Sequence, residues 1–395
     1  MNTKRLFAIL TASALLVGTL AGCGGSKDAS TSGSGGETGT VKDVQVWATG
    51  SDNVRQTFEK LVSDFNANSE YVGTYEAKLN FILSGTGGGT LADQLVAAYK
   101  AGQTDTEFDV VDLGGDDLTN ILSLTDESVL EDLDMSKIPN AEGVTAEPVA
   151  AKGKIQPYRG TTVILAYNSE TVPEDEVPTT MDELVEWIKA HPGRFAYNTP
   201  GTGGAGDSFV RTSIYNFIDD DSALMSSDPK WMEQWDEGFA FLKELHPYMY
   251  KSGSSVVYPN KNQGTLDLLT QGEIDMCPNW ADMVLSQRKA GTVPEKIKIT
   301  TIEPSFTGSV QGIAVPSYSG NKEGGFAFID YLLSPEAQTI LVQDMAAIPL
   351  VTEGVDLTGA EELMSMDVSN FRTQALGDLV TDLNARWDEE IGTLG

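Results

Sequence analysis

Residues 44–65, VQVWATGSDNVRQTFEKLVSDF, decide the fold class because the spacing of their apolar residues changes partway along. Residues 44–47 form a short, mostly apolar run that is typical of a β-strand. Ser51 and Asp52 then supply side chains that cap helices. From Val54 to Phe65 the apolar residues recur every three or four positions, as they do on one face of a helix. The stretch therefore predicts a strand followed by an amphipathic helix.

Strands and helices are predicted to alternate beyond residue 65 as well. We predict a second strand at 79–83, a helix at 91–101 that ends before Gly102, and a strand buried on both faces at 108–113. This βαβαβ order favours a parallel sheet covered by helices, which is an α/β fold.

The alternation starts again near residue 162 and indicates a second α/β unit. Thr180 and Glu183 have the spacing of a capping box at a helix start. The chain beyond residue 40 has about 355 residues, enough for two units that each form a core. The other predicted elements here are strands at 162–167, 194–197, 274–277, 297–302 and 312–315, and helices at 209–217, from 228 onward and up to 290.

An apolar segment at the start of the sequence predicts secretion. Lys4 and Arg5 precede residues 6–20, which carry no charge, and this arrangement is typical of a signal peptide. The motif LAGC at 20–23 resembles the lipobox of bacterial lipoproteins. That resemblance implies cleavage before Cys23, acylation of its sulfur, and attachment to the cell membrane on the extracytoplasmic side through lipid alone. A single uncleaved transmembrane helix is the alternative, since the segment nears the lower length limit for spanning.

The charge of the chain restricts its partners. The formal net charge is −32 and becomes more negative when Lys4 and Arg5 leave with the signal peptide. Nucleic acid is excluded as a partner on this ground, because its phosphates would be repelled. Direct adsorption to anionic lipid is disfavoured for the same reason, so the lipid anchor has to hold the protein at the membrane.

Cysteine and histidine, which build many metal and catalytic sites, are scarce. Cys277 has no partner for a disulfide if Cys23 carries lipid. His191 and His246 are the two histidines, and each directly precedes a proline. The sequence therefore offers little material for a histidine-rich zinc site or a Ser-His-Asp triad. We expect no metal, no cofactor and no catalytic residue.

A series of short motifs extends over the second half of the chain. They are AYNS at 166–169, PTTMDEL at 178–184, GEIDM at 272–276, NW at 279–280, GIAVP at 312–316, NK at 321–322 and FIDYLLSPEAQ at 328–338. In this order they resemble the extracellular solute-binding proteins of ABC importers, in particular the sugar binders with the type II periplasmic-binding-protein fold. The resemblance implies two α/β lobes with a ligand cleft between them, a solute captured without catalysis, and delivery of that solute to the permease subunits.

The resemblance also implies that the chain passes between the lobes more than once. We place the first crossing near residues 155–161 and the second near 303–311. The predicted limits are a signal peptide at 1–22, lipidated Cys23 with a flexible Gly/Ser linker at 23–40, the first lobe at 41–155 and 306–348, and the second lobe at 156–305 and 349–395. We expect a monomer.

Two tryptophans are candidate ligand contacts because each is predicted at the end of a strand. Trp47 ends the first strand, and Trp280 follows Asn279 after a strand of the second lobe. Ligands of open parallel sheets bind at the carboxyl ends of the strands, so all three side chains are predicted in the cleft. A flat indole suits the C–H face of a sugar, or a cation. Packing between the lobes or in the core is the alternative.

Two loops between a strand and a helix supply further candidates. Ser84 and Thr86 precede the predicted helix at 91–101, where hydroxyls and backbone N–H groups can bond a polar ligand. Asp116 and Asp117 precede the next helix, and their carboxylates can accept hydrogen bonds from hydroxyls or meet a cation. The alternative is that the two acids only stabilise the start of that helix.

The glycines Gly201, Gly203 and Gly206 match the spacing of a dinucleotide fingerprint. The acid that a Rossmann unit needs at the end of the next strand is missing, because the acids at 219–221 follow the helix directly. We therefore predict instead a helix start that faces the ligand, with Gly204, Asp207 and Ser208 as its contacts. A plain flexible loop is the alternative.

Tyr158 and Arg159 lie in the first predicted crossing, where they can touch both ligand and hinge. A guanidinium pairs well with a carboxylate or phosphate, and an ion pair between the lobes is the alternative for Arg159. The function predicted first is capture of a sugar or oligosaccharide, and the second is capture of a cation such as a polyamine or thiamine. A secreted glycan-processing enzyme or a surface sensor is the alternative from another class.

Overall fold

Strands and helices alternate through the computed structural model, which describes residues 40–84, 89–144, 146–366 and 372–394. The predicted signal peptide, Cys23 and Thr86 lie outside the described residues. The strands are β1 (Lys42–Gly50), β2 (Tyr75–Leu83), β3 (Val110–Leu113), β4 (Ile155–Asn168), β5 (Lys251–Ser252), β6 (Ser255–Val256), β7 (Met276–Trp280), β8 (Ile297–Thr300), β9 (Thr307–Ala314), β10 (Ile348–Pro349) and β11 (Arg372–Thr373). The helices are α1 (Asp52–Asn68), α2 (Leu91–Lys100), α3 (Gly115–Leu124), α4 (Met181–Ala190), α5 (Gly204–Tyr215), α6 (Asp236–Leu245), α7 (Lys261–Gln271), α8 (Ala281–Lys289), α9 (Lys322–Leu332), α10 (Pro335–Met345), α11 (Glu361–Met364) and α12 (Leu379–Trp387).

The predicted βαβαβ unit forms a parallel sheet. β1 pairs in parallel with β2 on one side and with β3 on the other. β3 then pairs antiparallel with β9, and β9 with β4, so that the strand order is β10-β4-β9-β3-β1-β2. Parallel strands end at the same edge of a sheet, and the loops after β1, β2 and β3 therefore leave from one side.

β4 belongs to both halves of the structure. Residues 155–162 pair with β9, whereas residues 163–168 pair with β7 and β8. The chain thus crosses from one set of strands to the other within a single strand, and the antiparallel strand β9 lies beside it at the crossing.

Buried apolar side chains gather on either side of this crossing. One set comes from residues 44–158 and 313–347, and the other comes from residues 163–306 and 346–391. Each set packs against its own strands and helices, so the chain has two cores. This arrangement confirms the predicted two-lobed α/β fold. The residue limits given above for each lobe stay a prediction.

The first strand is longer than its apolar pattern indicates. β1 continues past Trp47, because Ala48, Thr49 and Gly50 keep their pairing with β2. The strand therefore ends at Gly50, and Trp47 lies within it. This difference decides the position of Trp47 relative to the cleft.

The strand predicted at residues 194–197 is wrong. Phe195 makes isolated bridges to Met249 and to Met276, and the segment is assigned to no strand. Its carbonyl groups bond two different neighbours, since Tyr250 N donates to Phe195 O and Asp275 N donates to Arg194 O. A buried segment shared in this way is apolar like a strand but forms no continuous ladder.

The capping box predicted at Thr180 and Glu183 is confirmed. The Thr180 hydroxyl accepts a hydrogen bond from Glu183 N at 3.2 Å, and a Glu183 carboxylate oxygen accepts one from Thr180 N at 3.2 Å. This reciprocal pair fixes the start of α4. Across the described parts of the chain, no helix combines the length and the apolar character that crossing a bilayer requires.

Candidate ligand-binding cleft

A cavity of about 480 Å³ lies between the two lobes. The first lobe contributes the ends of β1 and β2 and the starts of α1 and α3, and the second lobe contributes the starts of α5, α7 and α8. A volume of this size suits a small molecule. The described residues that line it are Thr49, Gly50, Ser51, Asp52, Asn53, Val54, Leu83, Ser84, Gly114, Asp117, Arg159, Thr161, Thr202, Gly203, Gly204, Lys261, Asn262, Gln263, Trp280, Asp282, Met283, Gln287 and Gln311.

The helices that begin at this cavity share a feature of their first turn. Among the described residues, the N-cap side chains of α1, α7 and α8 make no capping hydrogen bond, and the N-cap residues of α3 and α5 are glycines. The helices α6, α11 and α12, which begin elsewhere, also lack one, whereas the N-cap side chains of α2, α4, α9 and α10 do make one. A helix start carries about half a positive charge and N–H groups that need partners. The carboxylates of Asp52, Asp117 and Asp282, in the first turns of α1, α3 and α8, offset part of this positive charge at the cavity wall.

The indole of Trp280 forms one wall of the cavity. Trp280 is the last residue of β7, and its side chain is half-buried. It lies directly against the backbone of α5, because a Cβ atom added at Gly204 would come within 2.8 Å of Trp280 Cζ2. The absence of a side chain at Gly204 therefore makes room for the indole at the cavity.

Arg159 projects into the cavity from the crossing strand β4. Arg159 is 5% exposed to solvent, and its Nε donates a hydrogen bond to the hydroxyl of Tyr158 at 3.0 Å. That hydroxyl in turn donates to Asp112 Oδ1 at 2.9 Å. Burial opposes the charge of Arg159, but Tyr158, Asp112 and Asp282 outweigh it and raise its pKa. The guanidinium therefore stays charged in the cavity wall.

The ion pair considered as an alternative for Arg159 is absent from the described part of the chain. No carboxylate there forms a salt bridge with it, and Asp112 and Asp282 act on it from farther away. Tyr158, which was also predicted in the cleft, is instead fully buried in the first lobe. It contacts Arg159 and not the cavity, because its ring packs edge-on against Phe58.

Asp282 is a buried carboxylate of the second lobe that also lines the cavity. Its Oδ2 accepts a hydrogen bond from Asn53 Nδ2 of the first lobe at 3.2 Å, and its Oδ1 accepts one from Thr161 at 3.4 Å. Burial raises the pKa of Asp282, although Arg159 and these hydrogen bonds oppose the rise. The Asn53–Asp282 contact joins α1 to α8 across the cavity.

The two predicted acids of the loop after β3 have different positions. Asp117 lines the cavity, and burial together with the charges of Asp116 and Asp112 raises its pKa to about 6. Asp116 does not line the cavity. Its Oδ2 lies 2.9 Å from Nη1 of Arg211, on α5 of the second lobe. Asp116 thus ties the two lobes together beside the cleft.

Trp47 is outside the cleft, which corrects its predicted role. Its ring packs against Phe108 at 4.8 Å between centroids, and its Nε1 donates to Glu107 O at 2.7 Å. The reason is the length of β1, because the residues that reach the cavity are Thr49 and Gly50 at the true end of the strand. Prediction from the apolar run alone stopped the strand too early.

Three other predicted contacts lie behind the cavity wall. Ser208 Oγ accepts hydrogen bonds from the backbone and hydroxyl of Thr307, and Asp207 Oδ1 accepts one from Gly201 N at 2.8 Å. Asn279 is fully buried and bonds Asn262 O and Trp280 N. These side chains fix the residues that line the cavity. Ser84 and Gly204 do line it, as predicted.

The glycine pattern at 201–206 has a structural explanation. A Cβ atom at Gly203 would lie 2.5 Å from Asn262 Oδ1, and one at Gly206 would lie 1.9 Å from Asn198 O. The side-chain oxygens of Asn262 and Asn198 accept hydrogen bonds from Ala205 N and Gly206 N, respectively, in the first turn of α5. The glycines therefore allow two asparagines to cap α5 from outside its own sequence.

Several cavity residues were missed by sequence reasoning. Asn53 follows the helix start recognised at Ser51 and Asp52, and Asp282 follows Trp280 by two positions. Both lie where a strand gives way to a helix, and that signal was available. The amide side chains of Asn262, Gln263, Gln287 and Gln311 carried no comparable signal. In the described residues, histidine, cysteine and acidic side chains form no group that could hold a metal ion.

These features define a class: a two-lobed α/β binding protein whose solute cavity lies at the crossing between the lobes. The chain belongs to the bacterial extracellular solute-binding protein family, whose model matches residues 60–368. This match confirms the resemblance proposed from the motifs. A search of curated protein sequences gave no significant match.

Solved structures with a similar fold include solute-binding proteins of ABC transporters. An ABC transporter protein from Clostridium perfringens ATCC 13124 is 16% identical, with a TM-score of 0.60 over 88% of this chain and 98% of that chain. A solute-binding protein from Thermotoga lettingae TMO, bound with α-D-tagatose, is 15% identical, with a TM-score of 0.67 over 89% and 95%. The spermidine/putrescine-binding protein PotD from Streptococcus pneumoniae strain Canada MDR_19A is 14% identical, with a TM-score of 0.63 over 88% and 99%. These likenesses show that this chain shares their fold.

Proposed function

We propose that this protein captures a sugar or oligosaccharide between its lobes and delivers it to the permease subunits of an ABC importer. The cavity carries the proposal, because Trp280 lines it together with amide and carboxylate groups from both lobes. An indole face packs on the C–H face of a sugar ring, while amides and carboxylates bond its hydroxyls. The structural neighbour from Thermotoga lettingae is described with a bound sugar, which supports this ligand class.

Capture by closure supplies the signal for delivery. A solute that touches Asn53 and Ser84 in the first lobe and Trp280 in the second lowers the free energy of the closed form by its differential affinity for that form. The permease subunits then recognise the closed shape. The residues that line the cavity come from both lobes, so a bound solute contacts both lobes.

A cationic solute such as a polyamine or thiamine is the second candidate. The carboxylates of Asp52, Asp117 and Asp282 line the cavity and favour a cation, and one structural neighbour is a spermidine/putrescine-binding protein. A glycan-processing enzyme or a surface sensor is the alternative from another class. A cleaved ligand would identify the enzyme, and binding without any neighbouring permease genes would favour the sensor.

Titration calorimetry with a panel of small solutes tests the proposal. The panel contains neutral sugars, oligosaccharides, sugar acids, sugar phosphates, spermidine and thiamine. We expect one of the sugar classes to bind with a stoichiometry of one and to be recovered chemically unchanged. Small-angle scattering should show a smaller radius of gyration with the bound solute. Binding of spermidine or thiamine alone would replace the sugar by the second candidate, and turnover would overturn the assignment as a binding protein.

We also propose that lipid on Cys23 anchors the protein to the extracytoplasmic side of the membrane and that the protein is a monomer. In cells, the wild-type protein should fractionate with membranes, whereas Cys23→Ser should be found in the soluble fraction. Detergent should release the wild-type protein as a monomer in light scattering. A Cys23→Ser protein that stays with the membrane would contradict the anchor.

A further inference from the structure

Arg159 is a buried cation that lacks a full set of partners within the protein. Arg159 is only 5% exposed to solvent, and it lines the cavity. Its Nε bonds the Tyr158 hydroxyl, but neither terminal nitrogen donates a hydrogen bond to a described residue. A guanidinium has five N–H donors, and the four on the terminal nitrogens of Arg159 have no acceptor in the part of the chain that the structure describes. The terminal nitrogens are therefore available to a ligand in the cavity.

The neighbouring acids are committed to other groups. Asp112 accepts its hydrogen bond from Tyr158, and Asp282 accepts hydrogen bonds from Asn53 and Thr161. Neither carboxylate forms a salt bridge with Arg159 in the described residues, so neither occupies the two terminal nitrogens of the guanidinium. Their charge keeps Arg159 ionised without occupying its donors.

The backbone around Arg159 directs its side chain to the cavity. The pairing of β4 with β9 shifts register between Pro157 and Arg159, and such bulges change the direction of side chains next to binding sites. Tyr158 consequently packs in the core of the first lobe, while Arg159 faces the cavity. The Tyr158 hydroxyl holds the guanidinium from behind.

The helix starts described above add partial positive charge at the same cavity, which the carboxylates of Asp52, Asp117 and Asp282 partly offset. The five helices α1, α3, α5, α7 and α8 all point their first turns at it. An anionic group placed there meets the guanidinium and the positive ends of the helices together. The free donors of Arg159, together with backbone N–H groups at these helix starts, thus favour an anionic group placed beside Arg159 and away from the carboxylates.

We propose that the solute carries an anionic group, a carboxylate or a phosphate, that binds the terminal nitrogens of Arg159. The remainder of the solute bears hydroxyls, which donate to Asp117 and Asp282 and lie against Trp280. The ligand class is therefore a sugar acid or a sugar phosphate. This inference rests on the proposed function, because it specifies which sugars the cavity binds.

Matched pairs of acidic and neutral sugars test the inference. Calorimetry with galacturonate and galactose, gluconate and sorbitol, and glucose 6-phosphate and glucose compares compounds that differ in the anionic group. We expect the acidic member of at least one pair to bind about ten- to a hundredfold more tightly than its neutral partner, as is typical of a charge-assisted hydrogen bond. The pair whose acidic member binds more tightly shows whether the anionic group of the solute is a carboxylate or a phosphate.

Variants assign that preference to Arg159. Arg159→Gln should remove the preference for the acid, and Arg159→Lys should keep part of it, since lysine keeps the charge but loses the fork. Lys261→Gln removes another positive charge from the cavity wall, and we expect at most about a threefold loss because Lys261 is exposed to solvent. Circular dichroism checks that each variant folds, and the comparison of pairs on the wild-type protein decides the inference even if Arg159→Gln does not fold.

The outcomes separate this inference from the proposed function. Neutral members that bind as tightly as the acids, or an Arg159→Gln protein that keeps the preference, would overturn the inference and leave sugar capture in place. Failure of every sugar in the full panel, acidic and neutral, would overturn the proposed function and this inference with it.

Discussion

The carboxylate of Asp116 lies 2.9 Å from the guanidinium of Arg211 and joins the two lobes beside the cleft. Asp116 is at the start of α3 in the first lobe, and Arg211 is within α5 in the second. The arginine side chain is 10% exposed and the aspartate side chain 42%. A contact of this kind exists only while the lobes are together, so it contributes to the free energy of closure.

Removal of this ion pair should weaken solute binding. We expect Asp116→Asn to lower the affinity about fivefold, because a partly exposed pair contributes on the order of 1 kcal/mol to the closed form. Calorimetry gives the affinity, and scattering of the free protein gives its compaction. Asp132→Asn is the matched control, since Asp132 pairs with Lys154 within the first lobe. Equal affinities for Asp116→Asn and the wild type would show that the pair has no part in closure.

The two tryptophans predicted as equivalent should behave differently. Trp280→Ala should reduce affinity about tenfold or more, because the variant loses the flat wall of the cavity. Trp47→Ala should leave affinity unchanged, because that ring packs against Phe108 outside the cleft. Calorimetry on both variants measures the difference. A loss of binding in Trp47→Ala with its fold intact would contradict the position assigned to the cavity.

Gly204 should control binding through Trp280 without contacting the solute by a side chain of its own. In Gly204→Ala the new methyl group would overlap Trp280 Cζ2, which lies 2.8 Å away, so the indole has to move. We expect an affinity loss of about tenfold with a changed tryptophan emission spectrum. Gly89→Ala is a suitable control, because a Cβ atom there meets no atom of a described residue within 4 Å. An unchanged affinity in Gly204→Ala would mean that the indole position is unimportant.

Asp117 should make the stability of the free protein depend on pH. Its pKa is raised from 3.8 to about 6, so the folded state binds its proton more tightly than the unfolded state does. The stabilising contribution of this group is therefore complete below pH 3.8 and is lost as pH rises through 6. In Asp117→Asn the side chain does not ionise, so the variant does not lose this stability as pH rises.

The measurement is the melting temperature without ligand at pH 5 and pH 7.5. The melting temperature of Asp117→Asn relative to that of the wild type should rise by a few degrees at the higher pH. The reason is that the wild type then carries a buried charge, which destabilises it. Asp132→Asn serves as the exposed control and should show no such increase. A difference that stays constant between the two pH values would contradict a raised pKa.

Much of the architecture could be predicted from local patterns. The strand and helix signals at 44–65 and the capping box at 180–183 correspond to β1, α1 and the start of α4. These signals are local, since apolar spacing and caps depend on neighbours within a few positions. The segment at 194–197 was misassigned because a buried segment and a buried strand have the same apolar composition.

The sequence by itself determined the α/β class, the family and the presence of a helix start at nearly every loop that reaches the cavity. The tertiary structure decided which side chains face the cavity. The cavity lies at the carboxyl end of β1, so Thr49 and Gly50 reach it, whereas Trp47 lies too far back along the same strand. Arg159 and Asp282 come together from segments far apart in the chain, and such proximity depends on how the lobes pack and not on any local pattern.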